Sequence, residues 1–305
     1  MIEDVRHVVP SSRGTRIVLG AFKNDVEVWN LADGRCLAGF GTCFDFGGSR
    51  LALSDELNLL IAAAYERYGL VAYVADTGKT AWSRADLKKI QRLSLSADGT
   101  LVFCGREGFP LEVVDIASGK TVRRIRATDK VDASPFEPIQ LLIRWKPVLQ
   151  RLDTDTTMSI PIADPSWIRD VVFAEQRVVI ARGVGDVLCF STESARLLWS
   201  YSPEPGRFVL KLGYRVEDGM LLGTERFYEK GGRGSPAPAL SLVTIEPHSG
   251  EVQIRQEMGD EGRCHAFCQQ GRTLVAWSRR VISTVTAQPI AVLGGATAVE
   301  PPRLV

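Results

Sequence analysis

One three-residue turn recurs along this chain between two short apolar stretches, and its spacing constrains the fold more than anything else in the sequence. It reads Ala32-Asp33-Gly34, Asp76-Thr77-Gly78, Ala117-Ser118-Gly119, Asp155-Thr156-Thr157, Glu193-Ser194-Ala195, His248-Ser249-Gly250 and Ala287-Gln288-Pro289. Gly34, Gly78 and Gly119 fall 44 and 41 residues apart. A fixed period of this size marks a repeat architecture whose units cannot bury their apolar faces alone.

The unit is clearest in residues 5–40. Val5 to Val9 is apolar, Pro10-Ser11-Ser12-Arg13-Gly14 is a turn, and Arg16 to Gly20 reads as a strand. After Lys23-Asn24-Asp25 comes the alternating Val26-Glu27-Val28-Trp29-Asn30-Leu31, then the recurring turn, then Cys36 to Phe40. Alternation of period two bounded by turn residues predicts four antiparallel strands, a to d. Helical periodicity is weak throughout. The expected fold is all-β: a seven-bladed β-propeller of four-stranded antiparallel blades. The blades are expected at about 1–42, 43–87, 88–129, 130–164, 165–204, 205–259 and 260–298, with 299–305 as a tail and the whole chain one domain. The turns of blades four, five and seven have lost their glycine, so those blades rest on strand pattern alone. A linear β-solenoid is the structural rival, but its repeats are usually shorter. Closing the ring covers both faces of every blade and leaves only short edges. With every blade ordered a-b-c-d, the first and last blades should meet by side-chain packing.

Two kinds of repeat are similar to these segments. Val26-Glu27-Val28-Trp29-Asn30 resembles the c strand of a WD repeat, and Ser94-Leu95-Ser96-Ala97-Asp98-Gly99-Thr100 resembles its a–b turn. The stretch from Val71 to Trp82 and that from Leu188 to Trp199 resemble quinoprotein repeats. These likenesses imply a degenerate member of the WD-repeat and quinoprotein-like β-propellers. The Gly-His dipeptide of regular WD repeats is missing. So is the adjacent cysteine pair carried by many quinone dehydrogenases, which are generally larger and eight-bladed, so the resemblance implies blade architecture rather than quinone chemistry.

Charge excludes a whole-molecule field. The net charge is +1, with 45% hydrophobic and 24% charged residues, which is the balance of a globular protein. Nucleic acid as the partner is disfavoured, because binding it rests on a concentrated positive field. The acidic start at Glu3-Asp4 does not read as a signal peptide, and no run reaches the roughly 20 apolar residues of a membrane helix. The six cysteines (Cys36, Cys43, Cys104, Cys189, Cys264, Cys268) are dispersed, which suits small core residues in a reducing compartment. A cytoplasmic protein with no membrane partner is the expectation.

Catalytic patterns are missing. Neither a Gly-x-Ser-x-Gly turn, a phosphate-binding loop nor a dinucleotide fingerprint is present, and the glycines of Gly231-Gly232-Arg233-Gly234 lack a strand-to-helix context. His7, His248 and His265 are the only histidines, and His248 belongs to a turn on the face opposite the other two. Cys264 and Cys268 would lie roughly 13 Å apart on one strand, too far for one zinc or a disulfide. The inner strands read apolar, as in Leu51-Ala52-Leu53, Leu93-Ser94-Leu95, Val171-Val172-Phe173 and Val209-Leu210-Lys211-Leu212, where a metal-dependent hydrolase needs carboxylates. No enzyme, cofactor or metal is expected.

The feature to follow lies on the face shared by b–c turns and d–a loops. Each inferred b–c turn carries a base: Lys23, Arg67, Arg106, Arg144, Arg182, Arg226 and Arg279. Arg6, Arg92, Arg169 and Arg263 open inner strands, while Glu3, Asp86, Asp129, Asp132, Asp164, Glu204, Asp260 and Glu261 are assigned to d–a loops. Two readings stay open: ion pairs between neighbouring loops, or a basic ring that meets an acidic or phosphate-bearing partner. The b–c connection of blade six, from Arg226 to Pro238, is long and carries Phe227 and Tyr228, residue types favoured at interfaces. Disorder would explain its Gly/Pro content equally well. Trp167 lies in a d–a loop of the same face, either as an anchor or as a plug between blades. The functional expectation is a non-catalytic platform for a specific protein partner, one concrete form being a bacterial immunity protein that neutralises a toxin. The alternative is a small-molecule sensor or propeller enzyme using the central channel.

Overall fold

The computed structural model describes residues 5–21, 25–42, 50–64, 69–96, 98–106, 108–125, 130–134, 139–143, 147–151, 153–162, 168–183, 185–227, 240–258, 265–268, 271, 273–276, 280–284 and 289–293. These residues form seven four-stranded antiparallel sheets. Blade one holds β1 (Val5–Pro10), β2 (Arg16–Ala21), β3 (Asp25–Asn30) and β4 (Cys36–Gly41); blade two holds β5 (Leu51–Ser54), β6 (Leu59–Ala63), β7 (Leu70–Val74) and β8 (Thr80–Arg84). Blade three is β9 (Ile90–Leu95), β10 (Leu101–Arg106), β11 (Leu111–Asp115) and β12 (Thr121–Ile125); blade four is β13 (Lys130–Ala133), β14 (Ile139–Ile143), β15 (Val148–Arg151) and β16 (Thr157–Ser159). Blade five is β17 (Ile168–Ala174), β18 (Arg177–Arg182), β19 (Val187–Ser191) and β20 (Leu197–Tyr201). Blade six is β21 (Arg207–Arg215), β22 (Met220–Phe227), β23 (Leu240–Ile245) and β24 (Val252–Glu257), and blade seven is β25 (His265–Cys268), β26 (Thr273–Ala276), β27 (Arg280–Ser283) and β28 (Pro289–Val292).

Each sheet keeps chain order, so the a strands line the axis. β1 lies against β5 and β25, β5 against β9, β9 against β13, β17 against β21, and β21 against β25. The chain is a seven-bladed β-propeller, as the repeat predicts. Both faces of the b and c strands are buried because neighbouring blades cover them: Ile17, Val18 and Leu19 on β2 and Leu60, Ile61 and Ala62 on β6 are all fully inaccessible. Apolar clusters accordingly span adjacent blades, as where Ile61 and Ala72 of blade two pack with Val102 and Val114 of blade three. Blades one and seven close without a shared strand. Val5, Ile17, Leu19, Trp29 and Leu31 pack there with Val275, Val281 and Leu293.

The c–d turn is built the same way in six blades, whereas the β15–β16 pairing of blade four runs without a slip. In those six the pairing slips by one residue just before the turn, at Val28/Trp29, Ala72/Tyr73, Val113/Val114, Cys189/Phe190, Thr244/Ile245 and Val281/Ile282. Such a bulge tightens the twist locally. The residue that closes the turn has positive φ: Gly34, Gly78, Gly119 and Gly250, but also Ala195 (53°) and Asp155 (58°). In blade four the turn is Asp153-Thr154-Asp155, two residues before the expected Asp155-Thr156-Thr157, because Thr157 already opens β16. Loss of the glycine therefore keeps the positive-φ residue of the turn, and Asp155 and Ala195 adopt a conformation that non-glycine residues uncommonly hold.

One inferred position is corrected. Asp132, expected in a d–a loop, lies inside inner strand β13, paired with Leu141. Lys130 and Asp132 place two charges in this four-residue strand, whereas the inner strands that guide the sequence reading are apolar.

Candidate interaction face

The b–c hairpins and the preceding d–a loops meet on one face. In blade three, Arg106 at the end of β10 donates from Nε to the Lys88 carbonyl in the loop between blades two and three, at 2.9 Å. In blade six, the Arg207 guanidinium lies 5.4 Å from the Phe227 ring, joining the start of β21 to the end of β22. The opposite face gathers a–b and c–d turns. There Ser12 donates its amide to the Leu53 carbonyl at 2.8 Å, and Arg16 binds Asp55, Asn58 and Asp76 of blade two.

Of the basic residues expected on the first face, three are described beside the turns: Arg106 and Arg182 end β10 and β18, and Arg226 is the penultimate residue of β22. Arg106 is only 7% exposed. Its Nη1 lies 3.5 Å from Glu112, and its guanidinium carbon sits 4.5 Å from the centre of the Phe109 ring. Arg182 is held inside its own hairpin by Asp186, which accepts from Nε at 2.8 Å and also from Nη2. Arg226 and Phe227 close β22 and are half-buried. The remaining candidates Lys23, Arg67, Arg144, Tyr228, Arg279 and Trp167 lie outside the described residues. Arg6, Arg92 and Arg169 belong to inner strands β1, β9 and β17.

The acids of this face pair mainly with arginines of strands, not with hairpin bases. Asp86 takes two hydrogen bonds from Arg84, at 2.8 and 2.7 Å; these bonds hold its carboxyl below the usual range. Glu204 accepts from Arg207 and from Arg255, each at 3.2 Å. Behind it Glu225, fully buried, accepts from the Tyr201 hydroxyl at 2.5 Å and from Arg255 Nε at 3.1 Å. Burial and that carboxylate push the Tyr201 phenol upward, so it remains a donor. Asp170 of β17 reaches the next blade, accepting the Leu212 amide at 2.8 Å and Lys211 Nζ at 3.3 Å. These contacts lock loops to blades. Among the described residues, no group of three His, Cys, Asp or Glu could hold a metal ion, and no helix is long and apolar enough to cross a membrane.

Sequence reasoning missed Phe109. It occupies the b–c hairpin of blade three, is 40% exposed, and has Arg106 on its ring and Lys89 Nζ 5.8 Å from its centroid. The Gly108-Phe109-Pro110 sequence signals a turn, and an aromatic at a turn tip between two bases was the available clue.

The geometry defines a seven-bladed β-propeller of four-stranded blades, and solved structures that include WD40 repeats share that fold. The structure of U3-55K superposes with a TM-score of 0.66 at 12% identity, covering 90% of this chain and 88% of that one. The RRP9 WD40 repeats give 0.65 at 12% identity, over 90% and 86%. The computationally designed Ika8 protein gives 0.58 at 15% identity, over 90% and 92%. At such identities the likeness is one of fold. No protein-family model and no curated protein sequence matches the chain.

Proposed function

We propose that this propeller is a non-catalytic platform that binds one specific protein partner with an acidic surface through the face of its b–c hairpins. The observation that carries this reading is Phe109, an exposed aromatic of a b–c hairpin with Arg106 on its ring and Lys89 nearby. Ordered aromatic–arginine groups are the residue types that dominate protein interfaces. Wide use of WD-repeat-like propellers as scaffolds is in keeping with it, although a fold does not itself assign a function. The proposed partner-binding set comprises Lys23, Arg67, Arg106, Arg144, Arg182, Arg226, Phe227, Tyr228 and Arg279, together with Trp167. Phe109 joins that set. One specific form is a bacterial immunity protein that covers a toxin's active site in the cytoplasm. The buried thiols of Cys104 and Cys189 are compatible with a reducing compartment.

The test is affinity capture from lysate of the source cells, with identification by mass spectrometry. Wild type would be compared with Phe109→Ala, Arg67→Glu/Arg106→Glu and Phe227→Ala/Tyr228→Ala. One protein retained by wild type and lost by a folded variant supports the platform. Retention of no protein by wild type counts against it and turns attention to ligands of the channel.

A further inference from the structure

The charges around Phe109 are unevenly shared. Arg84 is bound to Asp86, and Arg106 and Arg124 both address Glu112, at 3.5 and 3.0 Å. Lys88 presents its carbonyl to Arg106, and Lys89 approaches Phe109. Five bases (Arg84, Lys88, Lys89, Arg106 and Arg124) thus surround two acids (Asp86 and Glu112). Glu107, which the sequence places in the same hairpin, still leaves the bases in excess, in a chain whose net charge is only +1. Both acids are engaged by arginine, and the Asp86 carboxyl is held in its charged form by its Arg84 hydrogen bonds. Glu112 is 3% exposed, so it faces inward. Lys88 and Lys89 are exposed, as is two-thirds of the Arg124 side chain, at 65%. Asp86 is also exposed, at 61%, but Arg84 engages its carboxylate, so the outward-facing side of this cluster carries a cationic excess with one aromatic ring on it.

We infer that the rim between blades two and three, centred on Phe109, is the subsite that receives an acidic, extended segment of the partner. Carboxylates of that segment would meet Lys88, Lys89 and Arg124, and an apolar side chain would rest on the open part of the Phe109 ring. This rests on the platform reading and narrows it to one rim and one chemistry. An aromatic between the cations separates this subsite from a purely electrostatic patch: charge brings the acidic chain in, and ring contact fixes its register. Glu112 keeps the Arg106 guanidinium over the ring, so the aromatic is prearranged before any partner arrives.

The probe is a fluorescein-labelled peptide of alternating glutamate and leucine, titrated by anisotropy at about 50 mM salt, where surface charge is weakly screened. Saturable binding is expected. Phe109→Ala and Lys88→Glu/Lys89→Glu should each weaken it about tenfold or more, the scale of an interface anchor. Lys79→Glu/Lys120→Glu, on the c–d turns of the opposite face, should leave it unchanged. Circular dichroism confirms that each variant is folded. No saturable binding, or equal losses on the opposite face, overturns the inference. So does a single-stranded oligonucleotide that displaces the peptide and binds Phe109→Ala as well as wild type, which would assign the cations to phosphate. If lysate capture yields a partner that all these rim variants still retain, the platform stands and this subsite falls.

Discussion

Trp82 of blade two donates its indole N–H to the Ile116 carbonyl of blade three at 2.7 Å, and its ring occupies the space above Gly119. The relationship recurs. Trp199 donates to the Pro247 carbonyl at 2.7 Å and lies over Gly250, and Phe40 lies over Gly78. An aromatic from each of these d strands thus clamps the c–d turn of the next blade. It needs the turn residue both to accept positive φ and to lack a Cβ.

Gly119→Ala and Gly34→Ala separate these two needs. At Gly119 a Cβ would come 2.7 Å from Trp82 Cδ2; at Gly34 it would meet nothing within 4 Å, while φ is nearly the same, 69° against 64°. Gly34→Ala should cost about 1 kcal/mol, the left-handed penalty alone. Gly119→Ala should cost about 2–4 kcal/mol, because the clamp must also shift. Urea denaturation measures both, and equal costs would show that the aromatic contact adds nothing.

The Arg255–Glu225 pair predicts a second difference. Glu225 is fully buried and Arg255 is 28% exposed, so removing the arginine strands a carboxylate without its cation. Arg255→Ala should destabilise by about 2–4 kcal/mol, near the low end for a broken buried pair because solvent partly screens it. Adding Glu225→Gln should restore part of that loss by removing the charge. A single variant within about 0.5 kcal/mol of wild type, the scatter of ordinary surface changes, would contradict the account.

Much of this was legible because turn chemistry is local. Gly34, Gly78, Gly119 and Gly250 sit where backbone sterics favour glycine, so the blades could be counted from them. Asp155 and Ala195 hide the same turn because neither residue type marks it in the sequence; in the fold Arg123 of blade three reaches Asp155, and Ala195 is buried. The site was less legible. Arg106 reads as one more hairpin base, but its burial comes from Lys88 and Glu112, 18 residues before it and across the hairpin. The exposure of Phe109 likewise depends on where the neighbouring loop runs. Periodicity carries the order of strands; it does not carry which side chain of a hairpin is left uncovered.

Stability should fall in two stages on acidification. Burial, with a smaller contribution from Arg50, lowers the His7 pKa from its ordinary 6.5. The unfolded chain therefore binds a proton that the fold resists, so this stability is complete above pH 6.5 and declines as pH drops from there through the folded value. Asp218 is lowered from 3.8 chiefly by its hydrogen bonds from Arg215. For Glu56 burial acts upward, but hydrogen bonds from Ser12 and Arg13 outweigh it and lower it from 4.5. Their contribution is present above those ordinary values and lost as pH falls through the lowered ones. His7→Gln should abolish the upper decline and keep the lower one in urea midpoints taken from pH 8 to about pH 3. A persistent upper decline would assign it to another group.

Thiol reactivity should follow burial. Cys189 is pushed up to about 12 by desolvation, and Cys104, fully buried, is raised as well, which leaves little thiolate at neutral pH. Cys36 on outer strand β4 is exposed. Limited iodoacetamide treatment followed by peptide mass spectrometry should find Cys36 alkylated well before Cys104 or Cys189. Simultaneous labelling of all three would indicate that the blades open on the timescale of the reaction.

Every sheet is made of its own four consecutive strands, and Val5 and Leu293 share one apolar cluster where the first and last blades meet. The ring consequently has no privileged starting point. Joining those ends by a short linker and cutting at another d–a connection would leave each blade's pairing intact, so circularly permuted chains should encode the same ring. In a propeller whose final blade borrows a strand from the opposite terminus, most such cuts would move that shared blade; here, gain or loss of a blade by gene duplication can proceed in whole units at any junction.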